Sequence, residues 1–508
     1  MKSLAALFLA LPLALPLAAA VPASPSPRSF KRDAPNGVLG VSLRKIVAPR
    51  DTAIGTRRMA MMSRPAKAAQ KASRGTGPPR QSLVDHNEYY LADLAIGTPP
   101  QPVSLLVDTG GWVTWVNPDC TRAARPADCT SLSLPGYNAS LSNPPPVAVH
   151  DLDQVVVYGD YSMAVQVEGM ADVFTFGSGN STSGHVDQQP FGVAVETIGL
   201  STGILALGPD GATGFNSAVS NFSVVSTLAR QGVIASRVFS LAYGRGKAAS
   251  AFSYEPVGPA QHVGSLVFGG VDRNQFRGPL GKTPILPRDA TVDGWRYWLS
   301  VTQVRHNAPG PKAATATNAN STKGSAVHAA MPAGNASYMA DSGTTGIYVP
   351  RDAYDAVLAE TNLTRNPLRP EGFPDVDCTM ANLTGSFSFT FAPPRSAAAA
   401  ANSTAANSTT STGITIDVPY SALIHPERNL QTNDTSKCFF ALSSGGSAPD
   451  DGDIYPILGV EFFKAAYAVF DWDNQEVSLG QGASCGEPDL VAVGSGPNAV
   501  PRITGNCK

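Results

Sequence analysis

What most constrains this chain is a repeated acidic turn. Ser104-Leu105-Leu106-Val107-Asp108-Thr109-Gly110 and Ser337-Tyr338-Met339-Ala340-Asp341-Ser342-Gly343 share one pattern, an apolar run ending in Asp-(Thr/Ser)-Gly. Each is answered far downstream by apolar residues that close on glycine: Gly203-Ile204-Leu205-Ala206-Leu207-Gly208 in the first half, Ile457-Leu458-Gly459 in the second. Such a repeat predicts two lobes with one acidic turn each. Length agrees, because a body of about 400 residues is too long for one hydrophobic core.

Around these turns the body reads as mostly β. Tyr89 to Ile96 mixes aromatic and apolar residues and stops at Gly97-Thr98-Pro99-Pro100, a strand followed by a turn. Short apolar runs divided by Gly, Pro and Asn continue almost to residue 480. Helical pattern is confined to 223–232, which ends on a glycine, and 352–362, entered through Pro350. Residues 308–334 and 396–412 are rich in Ala, Ser, Thr and Asn and are expected to be mobile surface insertions.

One Asp-Thr-Gly is a common turn sequence; its duplication carries the chemistry. Glycine lets the chain turn tightly and allows a substrate backbone to approach. The hydroxyls of Thr109 and Ser342 can brace one turn against the other. Two carboxylates held together across a lobe interface cannot both ionise readily, so they share a proton. One then acts as base on a water while the other, protonated, polarises a scissile carbonyl. Asp108 and Asp341 are the candidate catalytic pair.

At these residues the chain resembles the pepsin-like aspartic proteases, over nearly all of residues 85–482. Val107-Asp108-Thr109-Gly110 and Ala340-Asp341-Ser342-Gly343-Thr344-Thr345 look like the two catalytic loops. Trp115 matches the tryptophan that supports the flap, Tyr158-Gly159 the flap's own Tyr-Gly, and Ser162 the flap residue that helps hold substrate. Val267-Phe268-Gly269-Gly270-Val271-Asp272 also matches. The resemblance implies a mainly β, bilobal pepsin-like aspartic protease fold, its lobes related by a pseudo-twofold about a central cleft. It implies endopeptidase activity on peptide or protein substrates at acid pH, with no cofactor and no metal. Thr109, Gly110, Gly111, Ser342, Gly343 and Thr344 are then the supports of the active site. A Cys120–Cys129 disulfide, already suggested by proximity, fits the family, as does Cys378–Cys438; the pairing of Cys485 and Cys507 stays open.

Three positions depart from the family pattern. Gly111-Trp112 stands where a serine usually follows Asp-Thr-Gly, so a hydroxyl that normally bonds the first carboxylate is missing, although its counterpart Thr344 is present. The expected effect is a shift in acidity rather than loss of turnover. Tyr161 replaces a second flap glycine, and Val460 stands where aspartate is common.

The chain opens with Met1-Lys2, an apolar stretch from Leu4 to about Leu17, and Ala18-Ala19-Ala20, the pattern of a secretory signal peptide over 1–20. Residues 21–80 read as a pro-segment, with dibasic pairs at Lys31-Arg32 and Arg57-Arg58 and a boundary left within 58–80. The first lobe is expected over 81–285, the second over 286–482, and a tail over 483–508. The leader carries 13 Lys and Arg against Asp33 and Asp51, whereas residues 81–508 carry 23 basic and 37 acidic residues. In an exported chain, a basic leader on an acidic body reads as an intramolecular electrostatic lid rather than as nucleic-acid binding. Leu43-Arg44-Lys45-Ile46 resembles the inhibitory segment of pepsin-type zymogens, which places Arg44 or Lys45 near the two carboxylates. Ten Asn-x-Ser/Thr sequons, at Asn138, Asn180, Asn221, Asn320, Asn335, Asn362, Asn382, Asn402, Asn407 and Asn433, suggest a glycosylated surface. Six cysteines without C-x-x-C spacing favour disulfides over zinc. No later stretch offers the ~20 apolar residues a bilayer span needs. The expected product is a secreted, or alternatively vacuolar, monomeric zymogen with no membrane anchor.

Two other classes compete. A pepsin-like binding or inhibitor protein with weakened catalysis would explain Gly111 and Tyr161, but both aspartates remain. A secreted glycosidase would also need paired carboxylates, without explaining the repeat or the basic leader. Gly482-Ala483-Ser484-Cys485-Gly486 mimics a serine-hydrolase nucleophile elbow, yet that fold needs a histidine after the serine, and the last of the seven is His425.

Overall fold

The computed structural model describes residues 37–47, 61–62, 88–121, 126, 129, 136–158, 163–176, 184–200, 202–209, 222–244, 261–287, 295–309, 336–366, 372–394, 413–426, 437–445 and 455–508. The expected signal peptide over 1–20, most of 21–80, almost all of 308–334 and all of 396–412 lie outside them.

The opening hairpin forms where the sequence predicts it. Glu88–Ile96 pairs antiparallel with Gln101–Asp108, with Leu91 opposite Leu106 and Ile96 opposite Gln101, and Gly97 turns between them at φ +88. A left-handed backbone of this kind suits glycine because it has no Cβ to clash. Both expected helices are present. Val224–Arg230 is capped by the Ser223 side chain, which accepts from Ser226 N–H, and Arg351–Thr361 ends on Asn362 at φ 53. Everything else of length among the described residues is strand.

The two halves repeat one topology. Gln101–Asp108 pairs in parallel with Gly203–Ala206, and Trp115–Val116 closes antiparallel on the far side of that thread. In the second half Ala336–Ala340 pairs in parallel with Ile457–Leu458, and Ile347–Pro350 closes antiparallel on it. The next neighbour outward is parallel in both: His185–Ile198 beside Trp115–Val116, and Leu442–Gly445 beside Ile347–Pro350. The apolar-to-glycine segments found by the repeat are thus the central threads of the two lobes. Each lies beside the strand that delivers its aspartate.

The chain's end returns to its first half. Ala466–Asp471 pairs with Val238–Ala242, and Glu476–Gly482 with Phe276–Pro284, inside one 16-stranded sheet. Leucine, valine and phenylalanine side chains of both lobes merge there; Phe239 stacks on Phe470 with ring centroids 4.7 Å apart. Leu39–Val47 of the leader is an internal strand of the same sheet, between Glu88–Ile96 and Gln261–Phe268. Its Val41 and Leu43 are buried. Arg44 and Lys45 are therefore paired along the backbone with Leu91 and Tyr90 on one side and with His262 and Gln261 on the other.

The tail is packed, although its sequence is polar and mixed. Leu490–Ala492 pairs with Gly270–Asp272, and Thr504–Asn506 with Phe276–Pro284. Val493, Ala499, Val500 and Ile503 are buried against Val238, Val271, Phe276, Tyr467 and Val469. Cys485 bonds to Cys507, settling the pairing left open; Cys120–Cys129 and Cys378–Cys438 also form, with Cα separations of 5.4 and 5.0 Å. Of the ten sequons, Asn138, Asn362 and Asn382 fall among the described residues, and all three are exposed. No described helix is long and apolar enough to cross a membrane.

Candidate active site

The matched threads bring the two acidic turns face to face. A Cβ placed on Gly110 would lie 2.5 Å from Asp341 Cγ, and one on Gly343 would lie 2.7 Å from Asp108 Oδ1. Each turn therefore needs its glycine to admit the opposite carboxylate. The two hydroxyls cross between the turns as their positions suggest. Thr109 Oγ1 donates to Ala340 O at 2.9 Å and accepts from Ser342 N–H at 2.9 Å. Ser342 Oγ donates to Val107 O at 3.1 Å and accepts from Thr109 N–H at 3.0 Å. Four buried hydrogen bonds, each worth about 1 kcal/mol net, fix the spacing of the two carboxylates without occupying their oxygens.

Asp108 and Asp341 are both fully buried, but their donors differ. Asp108 Oδ1 accepts from Gly110 N–H at 2.8 Å and Gly111 N–H at 3.0 Å, while its buried Oδ2 has no hydrogen-bond partner. Asp341 is served on both oxygens, by Gly343 N–H at 2.9 Å on Oδ1 and by the Thr344 hydroxyl at 2.7 Å on Oδ2. Burial pushes the Asp108 pKa well above the carboxylate range, the Asp341 charge pushes it further, and the Gly110 and Gly111 amides only partly oppose this. Asp341 is also raised by burial, but Thr344, Gly343, Asp108 and the charge of Arg296 pull it back. The asymmetry follows from Gly111, which supplies no hydroxyl where Thr344 supplies one.

Trp115 and Tyr158 meet beside the pair. Trp115 Nε1 donates to Tyr158 Oη at 2.8 Å, both side chains being buried. Burial, and next the Asp108 charge, raise the Tyr158 hydroxyl well above its usual range. Tyr158 ends the strand Gln154–Tyr158, which makes a hairpin with Met163–Phe176. Gly159 and Ser162, with Tyr161, lie outside the described residues.

Sequence reasoning missed Tyr243. Its hydroxyl reaches Val107 O at 3.1 Å and Ser342 O at 3.3 Å, under both turns at once, and its ring stacks on Tyr90 at 3.8 Å. It missed Arg296 as well, a buried cation whose field favours the ionised Asp341. Neither belongs to a local motif, so no sequence signal marked them.

Known proteins resemble this chain in sequence and fold. The family model "Eukaryotic aspartyl protease" matches residues 89–482. The probable aspartic-type endopeptidase OPSB of Arthroderma benhamiae is 26% identical over 438 residues, covering 84% of this chain and 75% of the relative. Secreted aspartic protease 8 of Candida albicans is 24% identical over 417 residues, covering 80% and 78%. The crystal structure of the aspartic proteinase from Irpex lacteus shares the fold at a TM-score of 0.52 and 21% identity, covering 78% of this chain and 94% of that one. A family match across most of the chain, on a two-lobed β frame that closes around paired aspartates, places this chain in the eukaryotic aspartyl protease family as an aspartic-type endopeptidase.

Proposed function

We propose that Asp108 and Asp341 are the catalytic dyad of an acid endopeptidase, with Asp108 holding the shared proton and Asp341 acting as the base. The observation that carries this is the cross-braced pair with unequal donors. Asp341, bonded on both oxygens, keeps its charge more readily than Asp108, whose Oδ2 has no donor. A carboxylate at Asp341 takes a proton from a water held between the two groups. The proton on Asp108 polarises the scissile carbonyl and stabilises the developing oxyanion. Trp115 and Tyr158 support the flap that closes on the substrate, with Gly159 and Ser162 assigned to its tip.

The same reading makes residues 21–80 a pro-segment, 81–285 and 286–482 the two lobes, and 483–508 a tail. Support for the leader comes from two ladders. Leu39–Val47 is built into the sheet, and Met61–Met62 pairs with Val157 and Tyr158 on the flap strand. A leader that reaches the flap edge obstructs the cleft. Secretion and glycosylation rest on the signal pattern and the exposed Asn138, Asn362 and Asn382. A catalytically weakened binding protein is the second reading, favoured by Gly111 and Tyr161 in the sequence and by the unpartnered Asp108 Oδ2.

Separate Asp108→Asn and Asp341→Asn variants decide between them. Each should fold and lose at least about 10³-fold in kcat on a peptide library, because either change removes half of one acid–base unit. Near-wild-type turnover by either variant refutes the dyad; absence of turnover in the processed wild type favours the binding reading.

A further inference from the structure

The turn that carries Asp341 is fastened from behind by a carboxylate with no place in the duplicated motif. Glu461 follows Val460, the position where the family's aspartate is missing, and lies on the short helix Val460–Phe463 just after the Ile457–Leu458 thread. It is buried, 1% exposed, and its Oε2 accepts from Gly346 N–H. Gly346 closes the turn Asp341-Ser342-Gly343-Thr344-Thr345-Gly346 at φ +89. The neighbouring residue grips the same turn, since Val460 N–H donates to Thr344 O at 2.8 Å. The segment 460–461 thus holds the turn at two successive points, on either side of Thr345. Thr344, one of the gripped residues, is the one whose hydroxyl serves Asp341 Oδ2.

A buried carboxylate needs counter-charge. His425 Nε2 lies 3.2 Å from Glu461 Oε1, and Lys464 Nζ lies 3.9 Å from the same oxygen. The histidine contact is within ion-pair distance without hydrogen-bond alignment. Both side chains gather on the Oε1 side and leave Oε2 to the turn. The ring of His425 stacks on Phe439, centroids 5.4 Å apart, which fixes its place.

We infer that Glu461 is a positioning residue for the dyad: its carboxylate, faced on the other oxygen by His425 and Lys464, pins the Gly346 amide and so holds the Thr344 hydroxyl on Asp341. The inference rests on the Asp108–Asp341 reading, whose own failure shows separately as activity surviving Asp108→Asn. A carboxylate lost by one residue of the motif is replaced by its neighbour, reaching the backbone of the turn instead.

The test compares three variants of the full-length, processed enzyme, each with kcat, KM, the pH profile of kcat and melting temperature. Glu461→Ala removes the acceptor, and kcat should fall about 10²-fold, the size of effect a roughly 1 Å misplacement produces, with KM changed less than about threefold. Thr344 then drifts from Asp341, the hydrogen bond that favours its ionised form weakens, and the acidic limb of the kcat profile moves to higher pH. Asp108, Arg296 and Tyr243 still face Asp341 in this variant, so the shift reports the hydroxyl. Glu461→Gln keeps an oxygen at the same reach and should recover most of the lost kcat. Glu461→Asp keeps the charge but withdraws the carboxylate by one methylene, and should resemble Ala. A variant that merely destabilises the fold would lower the melting temperature and leave kcat per folded molecule and the acidic limb unmoved. That result overturns the inference, as does a Gln variant as slow as Ala. Should Ala fail to fold, the Gln and Asp variants decide alone: Gln faster than Asp supports the pinning, and Asp equal to or faster than Gln refutes it.

Discussion

Gly111 is a position at which a single methyl group would press directly on Asp108. It carries no positive φ, so a side chain there costs no backbone strain; the cost is contact alone. A Cβ built on it lies 2.5 Å from Asp108 Oδ2, 3.1 Å from Cγ and 3.8 Å from the Ala206 methyl. An ordinary carbon–oxygen contact needs roughly 3.2–3.4 Å, so the carboxylate has to withdraw by about 0.8 Å, on the scale at which misplacement costs about 10²-fold. It cannot do so freely, because Gly110 and Gly111 amides hold Oδ1 at 2.8 and 3.0 Å and the side chain is fully buried. Gly111→Ala should therefore lower kcat about 10²-fold, close to 2.7 kcal/mol, with a smaller change in KM.

Gly111→Ser meets the same collision but brings a hydroxyl to the oxygen that has no partner. A hydrogen bond to a charged group is worth about 1.5–3 kcal/mol, enough to offset much of the cost. Serine should therefore turn over between alanine and wild type. Its hydroxyl favours ionised Asp108, the group that must keep the shared proton, so the basic limb of its kcat/KM profile should move to lower pH, while that of alanine should not. The expectation from sequence alone, a pure acidity shift on adding serine, is modified by the occupied space. Steady-state kinetics over pH, with near-ultraviolet circular dichroism to confirm folding, read both effects. Wild-type turnover by a folded Gly111→Ala sinks the steric reasoning. Identical pH profiles for serine and alanine mean the hydroxyl does not reach.

Two further outcomes are expected. Asp108, Asp341, Asp272 and Asp471 all have pKa values raised chiefly by burial, so their contribution to stability is complete below the unfolded-state pKa and lost as pH rises through the folded ones; Asp108→Asn should raise the melting temperature near neutral pH and leave it unchanged at about pH 3, and scanning calorimetry showing no gain at neutral pH refutes the sign. A synthetic 21–80 peptide added to processed enzyme should inhibit at low salt and near-neutral pH and lose potency with added salt or acid, because contact with cations depresses the body's carboxylate pKa values and the linked stability fades below them; no inhibition where the enzyme still turns over substrate refutes the lid.

How much of this was legible in the sequence depended on whether the information was local. Asp108 and Asp341, with Thr109 and Ser342, stood out because the same short segment occurs twice and each residue type has one use in it. The central threads 203–206 and 457–458 were legible for the same reason, as apolar pairs closing on glycine. Tyr243 could not be read, since its role comes from the sheet that carries it under both turns, and the word Ala242-Tyr243-Gly244 says nothing of that. The same holds for Cys485–Cys507 and for the tail: Val493, Ala499, Val500 and Ile503 form no periodic pattern, and they are buried only because Phe276 and Tyr467 offer them a surface. The leader shows the limit most clearly. Its Leu43-Arg44-Lys45-Ile46 was read by charge as a cover for the cleft, but Val41 and Leu43 give that stretch an apolar side that the sheet buries, with a ladder on each edge. Charge marks what a segment can neutralise; alternation and two free strand edges decide where its backbone lies. A leader anchored in this way leaves the sheet only by breaking two ladders.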